Sequence, residues 1–204
     1  MMNFAMKNII LRLLGICLIA VISGCNQQAA TTTNKFIATD ITGADFGKDF
    51  KLNDHHGKIR TLSDFKGKAV VMFFGYTHCP DVCPTTLSDL ASALTLLGQK
   101  ANKVQVLFVT IDPARDTPEL LAKYVPAFNT NFLGLYGDEA ATAKVAKDYR
   151  IFYQKHQAKG GKGYDMDHSA GTYVTDLSGN LRLFFSYGIG AASIAKDLNV
   201  LIPD

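Results

Sequence analysis

Ala69-Val70-Val71-Met72-Phe73-Phe74-Gly75-Tyr76-Thr77-His78-Cys79-Pro80-Asp81-Val82-Cys83-Pro84 is the stretch on which the fold turns. It opens with an unbroken apolar run, rich in β-branched and aromatic side chains, which reads as a central strand buried on both faces. Downstream, Leu87, Leu90, Leu94 and Leu97 recur at spacings of three and four, the mark of one face of an amphipathic helix. Two cysteines therefore sit where a buried strand hands over to a helix.

Working outward from that junction, Phe50-Lys51-Leu52-Asn53-Asp54 alternates apolar and polar residues as a half-buried strand does, and His55-His56-Gly57-Lys58 supplies a turn. On the other side, Val104 to Ile111 is a second buried strand. A helix follows it, capped by Asp116 or Thr117, with Pro118 in its first turn and Glu119 placed for a capping box. Asp138 to Arg150 reads as another helix, Ile151-Phe152-Tyr153 as extended chain, and Lys159-Gly160-Gly161-Lys162-Gly163 as a turn. Strands around Gly171–Thr175 and Leu181–Phe185, joined by Ser178-Gly179-Asn180, precede a closing helix over Ala191–Leu201. Alternating strands and helices followed by a late hairpin give an α/β class. The order resembles a thioredoxin-like fold: a central mixed sheet flanked by helices, with an N-terminal β-hairpin extension.

The cysteine segment carries the chemistry. Free N–H groups at a helix N-terminus stabilise an adjacent thiolate and make it reactive. Cys79 and Cys83 are four apart; on a helical turn their Cα atoms would be ~6 Å apart, within the reach of a disulfide and of one shared metal ion. A structural disulfide closing so short a loop would contribute little stability, which favours a working role for the pair.

Two thiolates are an incomplete metal site, and five histidines could complete it. His55 and His56 fall in a turn, and His156 follows a lysine; all three read as solvated. His78 abuts Cys79, but adjacent side chains in such a turn point apart. His168 lies in Tyr164-Asp165-Met166-Asp167-His168-Ser169, in the loop before a strand. In thioredoxin-like folds the loop at this place faces the cysteines and normally carries a cis-proline. Here no proline occurs between Pro126 and Pro203, so the fold resemblance sets the His168 neighbourhood against the thiols. Asp165 or Asp167 is available to orient the ring through its other nitrogen.

The start of the chain differs from the rest. Lys7 and Arg12 bracket a basic beginning, Leu13 to Ile22 is almost wholly apolar, and no acidic residue occurs before Asp40. This is the layout of a secretory signal over residues 1–24, with an apolar run shorter than the ~20 residues a spanning helix needs. Ile22-Ser23-Gly24-Cys25 looks like a bacterial lipobox, so Cys25 is expected to carry lipid. An uncleaved anchor helix is the alternative. Residues 25–37 read as a polar, flexible tether, and 38–204 as the folded domain. The expected location is extracytoplasmic, lipid-anchored to a bacterial membrane on its periplasmic side or at the cell surface.

The whole chain has 21 basic and 18 acidic residues; without Lys7 and Arg12 the balance is 19 against 18. So even a charge balance argues against nucleic acid as a partner. Of four cysteines, Cys17 leaves with the leader and Cys25 is lipidated, which leaves Cys79 and Cys83 as thiols.

Three pieces, in order, resemble the Sco/SenC family of copper chaperones for cytochrome c oxidase. They are Cys79-Pro80-Asp81-Val82-Cys83-Pro84, Ile111-Asp112-Pro113-Ala114-Arg115-Asp116-Thr117-Pro118, and Asp167-His168-Ser169. The resemblance spans roughly residues 38–202. It implies that Cys79, Cys83 and His168 bind one copper ion, as Cu(I) or Cu(II). It implies as partner cytochrome c oxidase subunit II, whose copper A site would be matured, or another copper-protein assembly factor. Met166 departs from the family's usual aliphatic residue; packing and weak thioether ligation are its two readings. Asp112 and Arg115 are read as a buried pair or helix-entry network without chemistry.

Ligand chemistry agrees: soft thiolates suit Cu(I), and an imidazole keeps Cu(II) accessible. Zinc prefers a closed four-ligand shell in structural sites. A thiol–disulfide oxidoreductase using Cys79 and Cys83 without metal is the competing function. A peroxidase is a third, suggested by Val82-Cys83-Pro84-Thr85 but lacking the threonine three residues before either cysteine.

Overall fold

In the computed structural model the chain runs through β1 (Thr39–Asp40), β2 (Leu52–Asp54), β3 (Ile59–Arg60), β4 (Ala69–Gly75), α1 (Val82–Leu97), β5 (Val104–Thr110) and α2 (Pro118–Tyr124). It continues through β6 (Leu133–Tyr136), α3 (Glu139–Asp148), β7 (Tyr153–Gln157), β8 (Tyr164–His168), β9 (Thr172–Thr175), β10 (Leu181–Phe185) and α4 (Ala191–Leu201). The structure describes residues 35–158, 160, 161 and 163–203. The leader, Cys25 and the tether up to residue 34 lie outside them.

Eight strands form one mixed sheet in the order β1-β10-β9-β4-β5-β6-β2-β3. β4 and β5 pair in parallel from Ala69↔Val104 to Gly75↔Thr110, and every residue of both is buried. That is the burial an apolar run without alternation requires. β6 continues the parallel set, while β9 flanks β4 antiparallel. The fold is the expected thioredoxin-like α/β arrangement. The expected N-terminal hairpin is present as β2 and β3, joined to the sheet edge through β6.

The parallel pairing of β4 with β5 sets the C-terminal ends of both strands, Gly75 and Thr110, side by side. The antiparallel β9 brings Thr172 to the same end, opposite Phe73. The loops at this end of the sheet carry Cys79, Asp112–Thr117 and Ser169–Gly171. α1 presents Cys83, Leu87, Leu90, Ala93 and Leu94 to the core, close to the leucine spacing read from sequence.

Some expectations are corrected. The tether does not extend to residue 37. Phe36 is buried, and the N–H groups of Ile37 and Ala38 donate to the carboxylate of the buried Asp197 at 2.9 and 2.7 Å. Thr117, not Asp116, caps α2, accepting from the Leu120 N–H at 3.3 Å; Asp116 is buried instead. The third residue of α2 is Leu120, so Glu119 is one place short of a capping box. His168 is not in a loop. It is the last residue of β8, which pairs with β7 in a separate two-stranded ribbon, Tyr153↔His168 to Gln157↔Tyr164. This ribbon escaped the sequence reading because its polar, solvated residues carry no strong strand periodicity.

Candidate metal centre

α1 begins at Val82, so only Cys83 lies on the helix, and Cys79 sits in the turn before it. Pro84 is tolerated in the first turn, where its missing N–H is an orphan donor anyway. The Cys79 sulfur takes over one of the remaining orphans, accepting from the Cys83 N–H at 3.4 Å. The turn is anchored from below by Asp116. Its carboxylate accepts from the Thr77 hydroxyl at 2.6 Å, the Thr77 N–H at 3.1 Å and the Thr110 hydroxyl at 2.6 Å. Burial pushes the Asp116 carboxyl above the ordinary carboxylate range, against those hydrogen bonds.

The two thiols are unlike each other. Cys79 is part-exposed, and hydrogen bonding from the Cys83 thiol, with further help from His168 and backbone N–H groups, lowers it to about 3. Cys83 is fully buried; its bond to the Cys79 sulfur and its desolvation push it far up. One proton is thus held between two sulfurs, on the Cys83 side. Cys83 fits here because Gly75 has no side chain: a Cβ at that position would lie 2.8 Å from its sulfur and 2.9 Å from Phe108 Cε2.

His168 approaches from β8. Its Nε2 lies 3.8 Å from the Cys83 sulfur, and its Nδ1–H donates to the Ser169 carbonyl at 2.9 Å. A carbonyl can only accept, so Nδ1 carries a proton in this bond and Nε2 is the nitrogen turned toward the cysteines. The ring makes T-shaped contacts with Tyr76 and Phe73, at centroid separations of 5.9 and 6.3 Å. The orienting partner is therefore a backbone carbonyl, not Asp165 or Asp167; Asp167 lies 3.4 Å from His156 instead.

The ligand atoms of Cys79, Cys83 and His168 all lie within 4.8 Å of one another. With metal–ligand distances of ~2.0–2.3 Å, one ion reaches all three after small side-chain shifts. Two soft sulfurs and one imidazole nitrogen are a donor set suited to copper. Among the described residues, no other group of three or more His, Cys, Asp or Glu side chains converges in this way.

The remaining histidines stay away. His55 is buried rather than solvated: its Nδ1 accepts from the Gly134 N–H at 2.9 Å, and burial lowers its pKa. His78 is turned toward Thr77 and Asp116, with Nδ1 at 3.1 and 3.9 Å. Met166 is buried in the core. Gly75, Tyr76 and the Ser169 carbonyl were not singled out from sequence. Only Gly75 carried a signal, as a glycine closing the strand ahead of the cysteines.

The family described as SCO1/SenC matches residues 38–202. A mitochondrial SCO2 homolog of Bos taurus is 37% identical over 152 residues, covering 74% of this chain and 57% of that protein. The chain thus matches little more than half the length of that relative. The structure of ScoI of Bradyrhizobium japonicum with copper bound is 39% identical, with a TM-score of 0.70 over 76% of this chain and 99% of the other. That of apo Sco1 from Thermus thermophilus is 40% identical, with a TM-score of 0.73 over 81% and 96% of the two chains. The chain belongs to the SCO1/SenC family.

Proposed function

We propose that this chain binds one copper ion through Cys79, Cys83 and His168 and serves the maturation of a copper centre, the copper A site of cytochrome c oxidase subunit II. The observation that carries the reading is the convergence of those three donors within 4.8 Å, drawn from a helix start and a ribbon end. The copper bound to the Bradyrhizobium relative supports the choice of metal.

Copper bound here would be cargo, held by two soft sulfurs and one imidazole nitrogen; three donors among the described residues leave room for a target ligand to enter. The protein's own residues prepare that exchange. Cys79 offers a thiolate at the surface, Cys83 keeps its proton until a cation compensates for its burial, and the Ser169 carbonyl holds the His168 ring with Nε2 facing the cysteines. Export and lipidation at Cys25 would place the domain outside the cytoplasm on a membrane. Among the described residues no helix is long and apolar enough to cross one.

The inequality of the thiols supports a second reading, reduction of a target disulfide. The Cys79 thiolate would attack one target sulfur and expel the other as a thiolate. Cys83 would then give up its proton and attack Cys79, releasing a target dithiol and leaving a Cys79–Cys83 disulfide. Two electrons and the Cys83 proton pass to the target, and solvent supplies the second proton of the dithiol.

A soluble copper A domain of an oxidase subunit II separates the two. Copper-loaded protein mixed with the reduced apo-target should generate the purple copper A absorption. If that target takes no copper, while its oxidised form is reduced stoichiometrically by metal-free protein, the disulfide-reduction reading replaces the delivery reading.

A further inference from the structure

The ribbon β7–β8 hydrogen-bonds only to itself within the sheets, yet its last residue is His168. Where the imidazole stands therefore depends on what holds the ribbon to the domain. Successive side chains of β8 alternate, so Tyr164, Met166 and His168 share one face. Met166 is buried in the core and His168 meets the cysteines. Tyr164, at the far end of the row, enters a closed side-chain network.

Arg115, in the loop after β5, donates through Nε to the buried carboxylate of Asp112. Through Nη1 it donates to the Tyr164 carbonyl at 2.8 Å, and its guanidinium carbon lies 3.7 Å from the Tyr164 ring centre. The Tyr164 hydroxyl completes the circuit by donating to Asp112 at 2.7 Å. On its other side the guanidinium lies 5.7 Å from the Tyr76 ring, the same ring that makes a T-shaped contact with His168. Arg115 Nη2 is buried and meets no hydrogen-bond partner among the described residues, so this placement does not serve the solvation of the arginine itself. A pair needed only to start α2 would not reach 49 and 52 residues along the chain to Tyr164.

We propose that Asp112, Arg115 and Tyr164 form a positioning clamp that seats the β7–β8 ribbon and so holds the His168 imidazole within reach of the Cys83 sulfur. The inference rests on the three-donor reading of the site. It assigns to Asp112 and Arg115 a part in ligand geometry rather than in chemistry. Arginine is required because a lysine cannot make the forked contact and stack on the ring together.

The test uses the full chain in detergent micelles as wild type, Arg115→Lys and Tyr164→Phe, with His168→Ala for assignment. In the reduced, metal-free protein with isotope-labelled histidines, the neighbouring Tyr76 and Phe73 rings should displace the His168 ring signals. Both variants should move them toward exposed-histidine positions, Arg115→Lys the further. Loaded with Cu(II), both should show weakened nitrogen coupling in the electron paramagnetic resonance spectrum and bind Cu(II) roughly 10–100-fold less tightly. Cu(I) capture by the two thiolates should persist. Unmoved ring signals in both variants, with or without a lower melting temperature, would overturn the clamp and leave the network a stability element. Should Arg115→Lys not fold, Tyr164→Phe, which removes a single hydroxyl, decides alone. Wild type without nitrogen coupling would instead overturn the three-donor site, and the metal-free ring signals would still judge the clamp.

Discussion

Nε2 of His168 lies 3.8 Å from the sulfur of Cys83, across 85 positions of sequence. Three separate parts of the chain create that approach. Gly75 leaves the volume the sulfur occupies, the Ser169 carbonyl turns the ring, and the ribbon carries it. Each makes a different demand on the sequence, and each can be tested alone.

Gly75→Ala places a methyl group into the contact with the Cys83 sulfur and the Phe108 ring. Overpacking of this kind costs ~1–3 kcal/mol, and the sulfur is the neighbour most easily displaced. The variant should melt at a lower temperature and bind copper at least about tenfold more weakly. A variant with wild-type melting and wild-type affinity would show that the glycine is not what seats Cys83.

The lowered Cys79 and raised Cys83 imply site-selective and pH-insensitive reactivity. An ordinary thiol has a pKa of ~8.5, so its alkylation slows tenfold with each pH unit below that. Cys79 should be alkylated at a nearly constant rate between pH 5 and 7, while the buried Cys83 stays untouched. Peptide mapping after iodoacetamide treatment reads both. For stability the sign follows from the depressed thiol. Unfolding takes up a proton at Cys79, so the contribution of Cys79 is full above the unfolded value of ~8.5 and fades as pH falls toward about 3; the raised Cys83 has the opposite sign and loses its contribution as pH rises above that unfolded value. A tenfold rate change per unit across pH 5–7 would contradict the thiolate assignment.

Asp197 is the buried carboxylate that accepts from Ile37 and Ala38. Hydrogen bonds to a charged group contribute ~1.5–3 kcal/mol, so Asp197→Ala should destabilise the domain by about 2–3 kcal/mol in urea unfolding. Amide exchange at residues 37 and 38 should accelerate far more than exchange in β4. Equal protection in wild type and variant would mean that the burial of Phe36 and the pairing of β1 with β10 dock this segment without Asp197.

The parts of the molecule governed by buried apolar surface were legible in the sequence. β4 and β5 announced themselves as unbroken hydrophobic runs, and α1 by its leucine spacing. Cys79 and Cys83 were legible because thiols at a strand-to-helix junction have few ordinary uses. His168 was found only through the resemblance of the fold, since nothing local in Asp165-Met166-Asp167-His168 distinguishes a ligand from a solvated histidine. The ribbon was missed because its stability comes from cross-strand pairing and distant side chains, not from its own periodicity. Arg115 was read as local for the same reason: its partner Tyr164 is brought near only by tertiary structure. A backbone carbonyl such as that of Ser169 has no sequence signature at all. The burial of His55 was misread because a turn is normally solvated, whereas this one is packed under Gly134.

The most direct test of the account is a copper titration of the reduced protein, comparing wild type with Cys79→Ala, Cys83→Ala and His168→Ala. Three converging donors require binding of one ion per chain in wild type. Loss of either cysteine should abolish tight binding of both Cu(I) and Cu(II), and loss of His168 should abolish tight Cu(II) binding while the Cys79–Cys83 disulfide still forms. Copper affinity unchanged in His168→Ala, for both oxidation states, would contradict the site as described.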